Sequence, residues 1–123
     1  MKINTYRDLN VFELAFNMAN RIFEISLNFP KEEKYSLTDQ IRRSSRSICA
    51  NIAEAYSARK YEKSFISKLV IAQCEAAETQ VWLDFAESHN YLSNSQHDDI
   101  HKEYGHIIAM IINMINNFDK WIL

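Results

Sequence analysis

Apolar residues recur at steps of three and four through almost the whole chain, the spacing of one face of an α-helix. Four such segments are separated by short polar or proline-containing stretches, and each predicts a helix. The first spans about residues 11–28. Phe12, Ala15, Ala19, Ile22 and Phe29 form one stripe, and Val11, Leu14, Met18 and Ile25 form a second beside it. Asn10 and Glu13 have the spacing of a capping box. Phe29-Pro30 ends the segment, because the residue before proline is pushed out of the α region. The second helix spans about 31–56, with the stripe Leu37, Ile41, Ile48 and Ile52. Two starts are open for it: Pro30, suited to a first helical position, or Ser36 with Asp39, a pattern typical of an N-terminal cap. The third spans about 61–90 on Phe65, Leu69, Ala72, Ala76, Thr79, Leu83 and Ala86, whose alternating steps make a heptad seam. A second row there carries Ile71, Glu75, Glu78, Trp82, Phe85 and His89. Ser93 with Gln96 forms a capping-box pattern for the fourth helix, about 95–122. Its seam is Ile100, Tyr104, Ile107, Ile111, Met114, Phe118 and Trp121, with Ile108, Ile112, Ile115 and Ile122 as a second row.

Long helices with short connections predict one domain over residues 1–123, an all-α, antiparallel up-down-up-down four-helix bundle. A chain of 123 residues buries roughly two-thirds of its unfolded surface and folds without staples. Gly105 and Pro30 are the only glycine and proline. Tight hairpins and phosphate-cradling loops need glycine, so a β protein, a P-loop and a Rossmann site are all disfavoured. Gly105 itself lies inside the fourth helix at a cost of about 1 kcal/mol against alanine; a close helix contact and a tolerated defect both account for it. The apolar faces of helices 1 and 4 are wider than one bundle core uses, which points to an oligomer contact. Cys49 and Cys74 are too sparse for a disulfide framework or a metal site, and suit a reducing compartment. The first residues lack the apolar core of a signal peptide, and no apolar run approaches the ~20 residues of a membrane span. A soluble, cytoplasmic protein without a membrane partner is expected.

Charge changes this picture. The net charge of -2 hides an asymmetry. Between residues 42 and 68 lie Arg42, Arg43, Arg46, Arg59, Lys60, Lys63 and Lys68 against only Glu54 and Glu62. From residue 69 onward Lys102 and Lys120 face Glu75, Glu78, Asp84, Glu87, Asp98, Asp99, Glu103 and Asp119. Such blocks suggest oriented electrostatics between subunits or toward a polyanion. Arg42, Arg43 and Arg46 project away from the stripe of helix 2. Guanidinium groups bind phosphate bidentately and stay charged, so these three are candidate nucleic-acid contacts, extended by Arg59, Lys60 and Lys63. Ion pairing with Glu54, Glu75 or Glu78, within a subunit or across an interface, serves the same arginines equally well.

Catalytic chemistry finds little purchase. Di-iron bundles need Glu-x-x-His on two helices, and only Glu103-Tyr104-Gly105-His106 matches. His97 and His101 are one turn apart and form a possible two-ligand face, near the start of helix 4 where exposed polar residues are ordinary. No metal or other cofactor is expected. Cys49 and Cys74 have no histidine nearby in sequence, and small buried cysteine is the common state. Ser44, Ser45 and Ser47 lack an elbow motif and suit a place where another helix crosses closely. The expectation is a protein that is not an enzyme.

Several pieces together resemble a known family. They are Phe29-Pro30 with Glu33, Gln40-Ile41-Arg42-Arg43-Ser44, Ala50-Asn51-Ile52-Ala53-Glu54-Ala55, Ser67-Lys68-Leu69, and Glu75-Ala76-Ala77-Glu78-Thr79-Gln80-Val81-Trp82-Leu83-Asp84-Phe85-Ala86. They look like the signature of the bacterial four-helix-bundle proteins first described as encoded in intervening sequences of 23S ribosomal RNA genes. The resemblance runs from about Leu9 into helix 4, where only the apolar pattern matches. Ala55 stands where many members carry glycine. The resemblance implies a ring-like homopentamer. The family is similar to the accessory variability determinant of diversity-generating retroelements, a pentameric bundle that binds nucleic acid and works with a reverse transcriptase. It implies self-association, RNA or DNA as a possible partner and a reverse transcriptase by analogy, and it names no reaction. The expected function is an oligomeric accessory protein binding RNA or DNA through a basic surface; the alternative is a structural homo-oligomeric scaffold whose arginines pair with Glu54, Glu75 and Glu78.

Overall fold

The computed structural model describes residues 2–123, with four helices and no strand among them. These are α1 (Asn10–Ser26), α2 (Leu37–Ser57), α3 (Glu62–Ser88) and α4 (Asn94–Asn116), with 3-10 turns at Tyr6–Asp8, Lys31–Glu33 and Phe118–Lys120. Each helix packs on the next, and α1 closes on α4, with α2 against α3 the most extensive pairing. The result is the expected antiparallel up-down-up-down bundle. The end of α1, the start of α2, the end of α3 and the start of α4 share one pole. Phe29 and Tyr91 meet there at 5.6 Å between ring centroids, and the Tyr91 hydroxyl donates to Glu33 Oε2 at 3.0 Å. At the other pole the chain's last amide, Leu123 N, donates to the Arg59 carbonyl at 3.0 Å.

The seams hold where the core is densest. All seven seam positions of α3, from Phe65 to Ala86, are buried, as are Ile100, Tyr104, Ile107, Ile111 and Met114 of α4. Leu37, Ile41, Ile48 and Ile52 of α2 are buried with them. Between α2 and α3 the crossing is closed by polar atoms: Ser44 and Thr79 are both fully buried, with their hydroxyls 2.8 Å apart. Thr79 also donates to the Glu75 carbonyl at 2.9 Å, which leaves its oxygen to accept from Ser44. Of the three serines of α2, Ser44 therefore lies at a close helix crossing, while Ser45 and Ser47 bond only within α2.

The ends differ from the pattern-based reading. α1 has no capping box at Asn10 and Glu13. Its N-cap is Leu9, buried at 2% exposure and bonded through backbone alone. The capping box sits one turn earlier, where the Asp8 carboxylate accepts from Asn4 N at 2.8 Å and Thr5 N at 3.1 Å, and Thr5 Oγ1 accepts from Arg7 N at 3.2 Å. Burying Leu9 outweighs the local preference for a polar cap. Pro30 opens a 3-10 turn, and α2 proper begins after Ser36. The Ser36 hydroxyl does not cap the helix; it donates to Glu33 Oε1 at 2.6 Å, and that oxygen also accepts from Leu37 N at 3.3 Å. α4 stops at Asn116, short of the expected 122. Asn117 turns its side chain back onto the Asn113 carbonyl at 2.9 Å, and Phe118 and Trp121 follow in a separate turn, partly buried.

Gly105 is exposed, and a Cβ there meets only Gln80 Nε2 at 4.0 Å. No close helix contact requires this glycine. The surplus apolar surface lies on helix 1 as expected, but on helix 3 rather than helix 4. Of the large apolar residues α4 exposes only Ile112, whereas α1 exposes Phe16 and Phe23, Leu27 is exposed just past its end, and α3 exposes Val70, Ile71, Val81 and Phe85. One hydroxyl of the core, Tyr104 Oη, is buried without a protein partner, and that burial pushes its pKa far up. Among the described residues no helix is long and apolar enough to cross a membrane.

Candidate nucleic-acid interface

The helical turn of α2 sends its arginines to different neighbours. Arg43 faces α3. Its Nη2 donates to Glu78 Oε1 at 2.8 Å and Oε2 at 2.9 Å, and its Nη1 lies 3.5 Å from Glu75 Oε2. The charge-assisted hydrogen bonds from Nη2 to Glu78 are the main reason the Arg43 pKa is raised. Glu78 accepts in addition from Trp82 Nε1 at 3.3 Å. Glu75 is the less comfortable partner. Burial, then the adjacent Glu78, hold its carboxyl above the usual range, and Arg43 offsets only part of this. Its Oε2 has a charge neighbour but no hydrogen bond. Arg43 thus ties α2 to α3, which is the ion-pair alternative realised for one arginine of the three.

Arg42 and Arg46 face α1. Arg42 Nε donates to the buried Ser26 Oγ at 2.8 Å, and Ser26 in turn donates to the Phe23 carbonyl at 2.8 Å. The Arg42 guanidinium stands over the Phe23 ring at 4.7 Å from its centroid, and that of Arg46 at 5.8 Å. Each such contact is worth about 0.5–1 kcal/mol at an exposed site. Among the described residues no carboxylate lies within ion-pairing distance of either arginine. Glu54, expected as an arginine partner, instead pairs with Lys68 at 3.3 Å.

Arg59, Lys60 and Lys63 do not extend this patch. They lie at the pole where α2 ends and α3 begins, with Arg59 roughly 20 Å beyond Arg46 at 1.5 Å per residue. Arg59 Nε donates to the Tyr56 carbonyl at 2.8 Å, with its guanidinium 3.7 Å from the Tyr56 ring centroid. Lys60 and Lys63 are exposed and without an acidic partner among the described residues. The six candidates therefore make two separate basic sites plus one structural ion pair.

Beside Arg46 the α1/α2 surface opens into a groove of about 590 Å³, where Phe12, Phe16 and Phe23 of α1 face Cys49, Ala50 and Ala53 of α2. Phe16 and Phe23 are 46% and 39% exposed, so aromatic faces and a guanidinium border the same space. Burial pushes the Cys49 thiol up to about 11, which leaves it protonated and unreactive at neutral pH. Cys74 is exposed, against the expectation of a buried residue. Two features escaped the sequence reading. Phe23 belongs to neither predicted stripe of helix 1, and only the α1/α2 pairing brings it under the arginines. Asp84 is 13 residues from His97, and only the α3/α4 hairpin joins them, at 2.7 Å. His97 is also less exposed than its place near a helix start suggested, at 12%. Desolvation opposes charge on its ring, yet hydrogen bonds with Asp98 and Asp84 and the nearby Glu87 outweigh it and raise its pKa.

The sequence pattern described as 23S rRNA-intervening sequence protein matches residues 7–113, most of the chain. The chain belongs to the 23S rRNA-intervening sequence protein family. It is also similar to a crystal structure from Bacteroides thetaiotaomicron VPI-5482, described as a protein with unknown function from the S23 ribosomal protein family. The two are 33% identical with a TM-score of 0.79, over 87% of this chain and 96% of that one. No curated protein matches. The segment Gln40–Ser44 has a clear structural use in this chain. Arg42 holds α2 to α1 through Ser26, while Arg43 and Ser44 hold it to α3.

Proposed function

We propose that this protein is a non-enzymatic, cytoplasmic accessory protein that assembles as a homopentamer and binds RNA or DNA through surface cations. The observation that carries the reading is the pair Arg42 and Arg46, stacked on Phe23 and unmatched by any carboxylate among the described residues. A fixed guanidinium that remains charged is suited to phosphate. Exposed Phe16 and Phe23 beside it offer faces on which bases stack. Lys60 and Lys63 at the other pole supply a second contact along the same strand. The exposed apolar residues of α1 and α3 support self-association. Repetition around a ring multiplies weak phosphate contacts into useful avidity.

A second reading has one observation behind it. Arg43 is held by Glu78 and Glu75 as a structural tie, and a scaffold that binds no polyanion needs nothing more. Fluorescence-anisotropy titration against structured RNA and duplex DNA, at low and near-physiological salt, separates the two, with light scattering to count subunits. Micromolar or tighter binding that weakens steeply with salt supports the first reading, because phosphate contacts act through counterion release. Absence of binding at low salt removes it in favour of the scaffold.

A further inference from the structure

The pole away from Lys60 and Lys63 carries a different constellation. α3 ends in a tight reversal: Asn90 takes φ 63°, Tyr91 N donates to the Ala86 carbonyl at 2.8 Å and Asn90 N to the Glu87 carbonyl at 2.9 Å. Ser93 then starts α4 with its capping box. This short connection sets the first two turns of α4 against the last two of α3. His97 and His101, one turn apart on the same face, come to lie beside Asp84. His97 Nε2 is 2.7 Å and His101 Nε2 3.8 Å from Asp84 Oδ1, and the two imidazole centroids are 5.0 Å apart.

We propose that Asp84, His97 and His101 form a binding site for one divalent transition-metal ion of the zinc type, with the two Nε2 atoms and an Asp84 oxygen as ligands and the fourth position open to solvent. Two imidazoles and a carboxylate are a donor set suited to such ions and poorly suited to calcium or magnesium. The dimensions also agree. Bonds of about 2.0–2.2 Å in a tetrahedron place ligand atoms about 3.3–3.6 Å apart. The three ligand atoms already lie within 4.8 Å of one another, on both sides of that value.

The surroundings of His97 are those of a metal ligand. Its Nδ1 lies 2.9 Å from Asp98 Oδ1 and 3.4 Å from Glu87 Oε2. The carboxylate behind the ring accepts from Nδ1–H, and a metal at Nε2 replaces the proton that Nε2 shares with Asp84 at 2.7 Å, which leaves the tautomer a metal requires. His97 is 12% exposed, so its ring is already held in place. Gln80 steadies the next turn by donating to the His101 carbonyl at 3.3 Å. Asp84, Glu87 and Asp98 together supply the negative charge that a dication neutralises. Bound there, the ion clamps α3 to α4 at the hairpin. Glu103 and His106, 3.5 Å apart on α4 alone, bring only two donors and make a natural control.

The test uses the full chain, untagged, stripped with EDTA and dialysed. Zinc chloride is titrated calorimetrically, and cobalt chloride by visible absorption. The expected result is one zinc per chain at micromolar affinity or tighter, cobalt bands of a four- or five-coordinate site, and a Tm that rises with zinc. Asp84→Asn and His101→Ala each weaken zinc by at least about tenfold, and Asp98→Asn by about tenfold through loss of the supporting carboxylate. His106→Ala leaves the affinity unchanged. Asp84 and His101 are 58% and 38% exposed, so these variants keep the fold, which circular dichroism checks. Absence of stoichiometric zinc binding to the wild-type chain overturns the proposal, as does binding of equal strength in Asp84→Asn and His101→Ala.

Discussion

The two grooves that flank α2 use the same kind of residue in opposite ways. On the α3 side, Arg43 meets two carboxylates and Ser44 meets Thr79, and of the buried side-chain polar atoms there only Glu75 Oε2 lacks a hydrogen bond. On the α1 side, Arg42 and Arg46 meet a ring and a serine, with no acid among the described residues. One residue of helical rotation separates Arg42 from Arg43 and gives them different tasks. The α3 groove is closed by specific polar bonds over small residues; the α1 groove stays open, aromatic and positively charged. An arginine-rich helix therefore need not act as one patch. What stands across each groove decides whether a guanidinium holds the fold together or faces outward.

The largest expected effect tests the closed groove. Ser44→Leu forces a bulky side chain into a fully buried crossing and removes the interhelical hydroxyl bond to Thr79, a loss of about 3 kcal/mol, seen as a lowered denaturant midpoint. If stability is unchanged, the crossing is looser than described. The open groove is tested next by Arg46→Glu, which lowers affinity for RNA about tenfold or more and reduces the salt slope by about one, with the melting temperature held. Comparing alanine variants then sets the grooves side by side. Arg43→Ala costs about 1 kcal/mol, discounted for an arginine side chain that is 47% exposed. Arg46→Ala stays within about 0.5 kcal/mol. Equal losses in the two would abolish the contrast.

Gly105 lies outside both grooves and calibrates them. Gly105→Ala gains up to about 1 kcal/mol, since its Cβ enters open space on a helix surface; a loss would indicate a contact with another copy. The smallest effect is a pH dependence within the closed groove. The Glu75 carboxyl is held above its ordinary value by burial first and Glu78 second. For an acid shifted upward, the associated stability is present below the unfolded pKa of 4.5 and is lost as pH rises through the folded value. Glu75→Gln is therefore at least as stable as wild type at pH 7, and the difference closes as the pH falls below about 4.5. A variant that gains its advantage in acid instead would show that Arg43 dominates Glu75.

Much of this architecture was legible before any coordinates. The seam from Phe65 to Ala86 and that from Ile100 to Met114 were readable because burial on a helix repeats at 3.6 residues and both seams obey it throughout. The Ser93–Gln96 box was readable because capping is local. The box at Asn10 and Glu13 was misplaced because Leu9 gains more from the core than a polar cap gains at the surface. The end of α4 was overextended because Phe118 and Trp121 keep the helical spacing while packing from a separate turn. Of the candidate interface, the arginines were legible as charges, and their division was not.

Periodicity, glycine scarcity and short connections are properties of neighbouring residues, so helix number, antiparallel order and core faces followed from the chain alone, as did family membership through its motif residues. Contacts between distant residues obey no such period. Only the packed bundle set Phe23 under Arg42 and Arg46, Glu78 against Arg43, and Asp84 beside His97 and His101. Each pairing depends on the rotation of one helix about its axis relative to its neighbour, and the summed packing of every buried side chain sets that rotation.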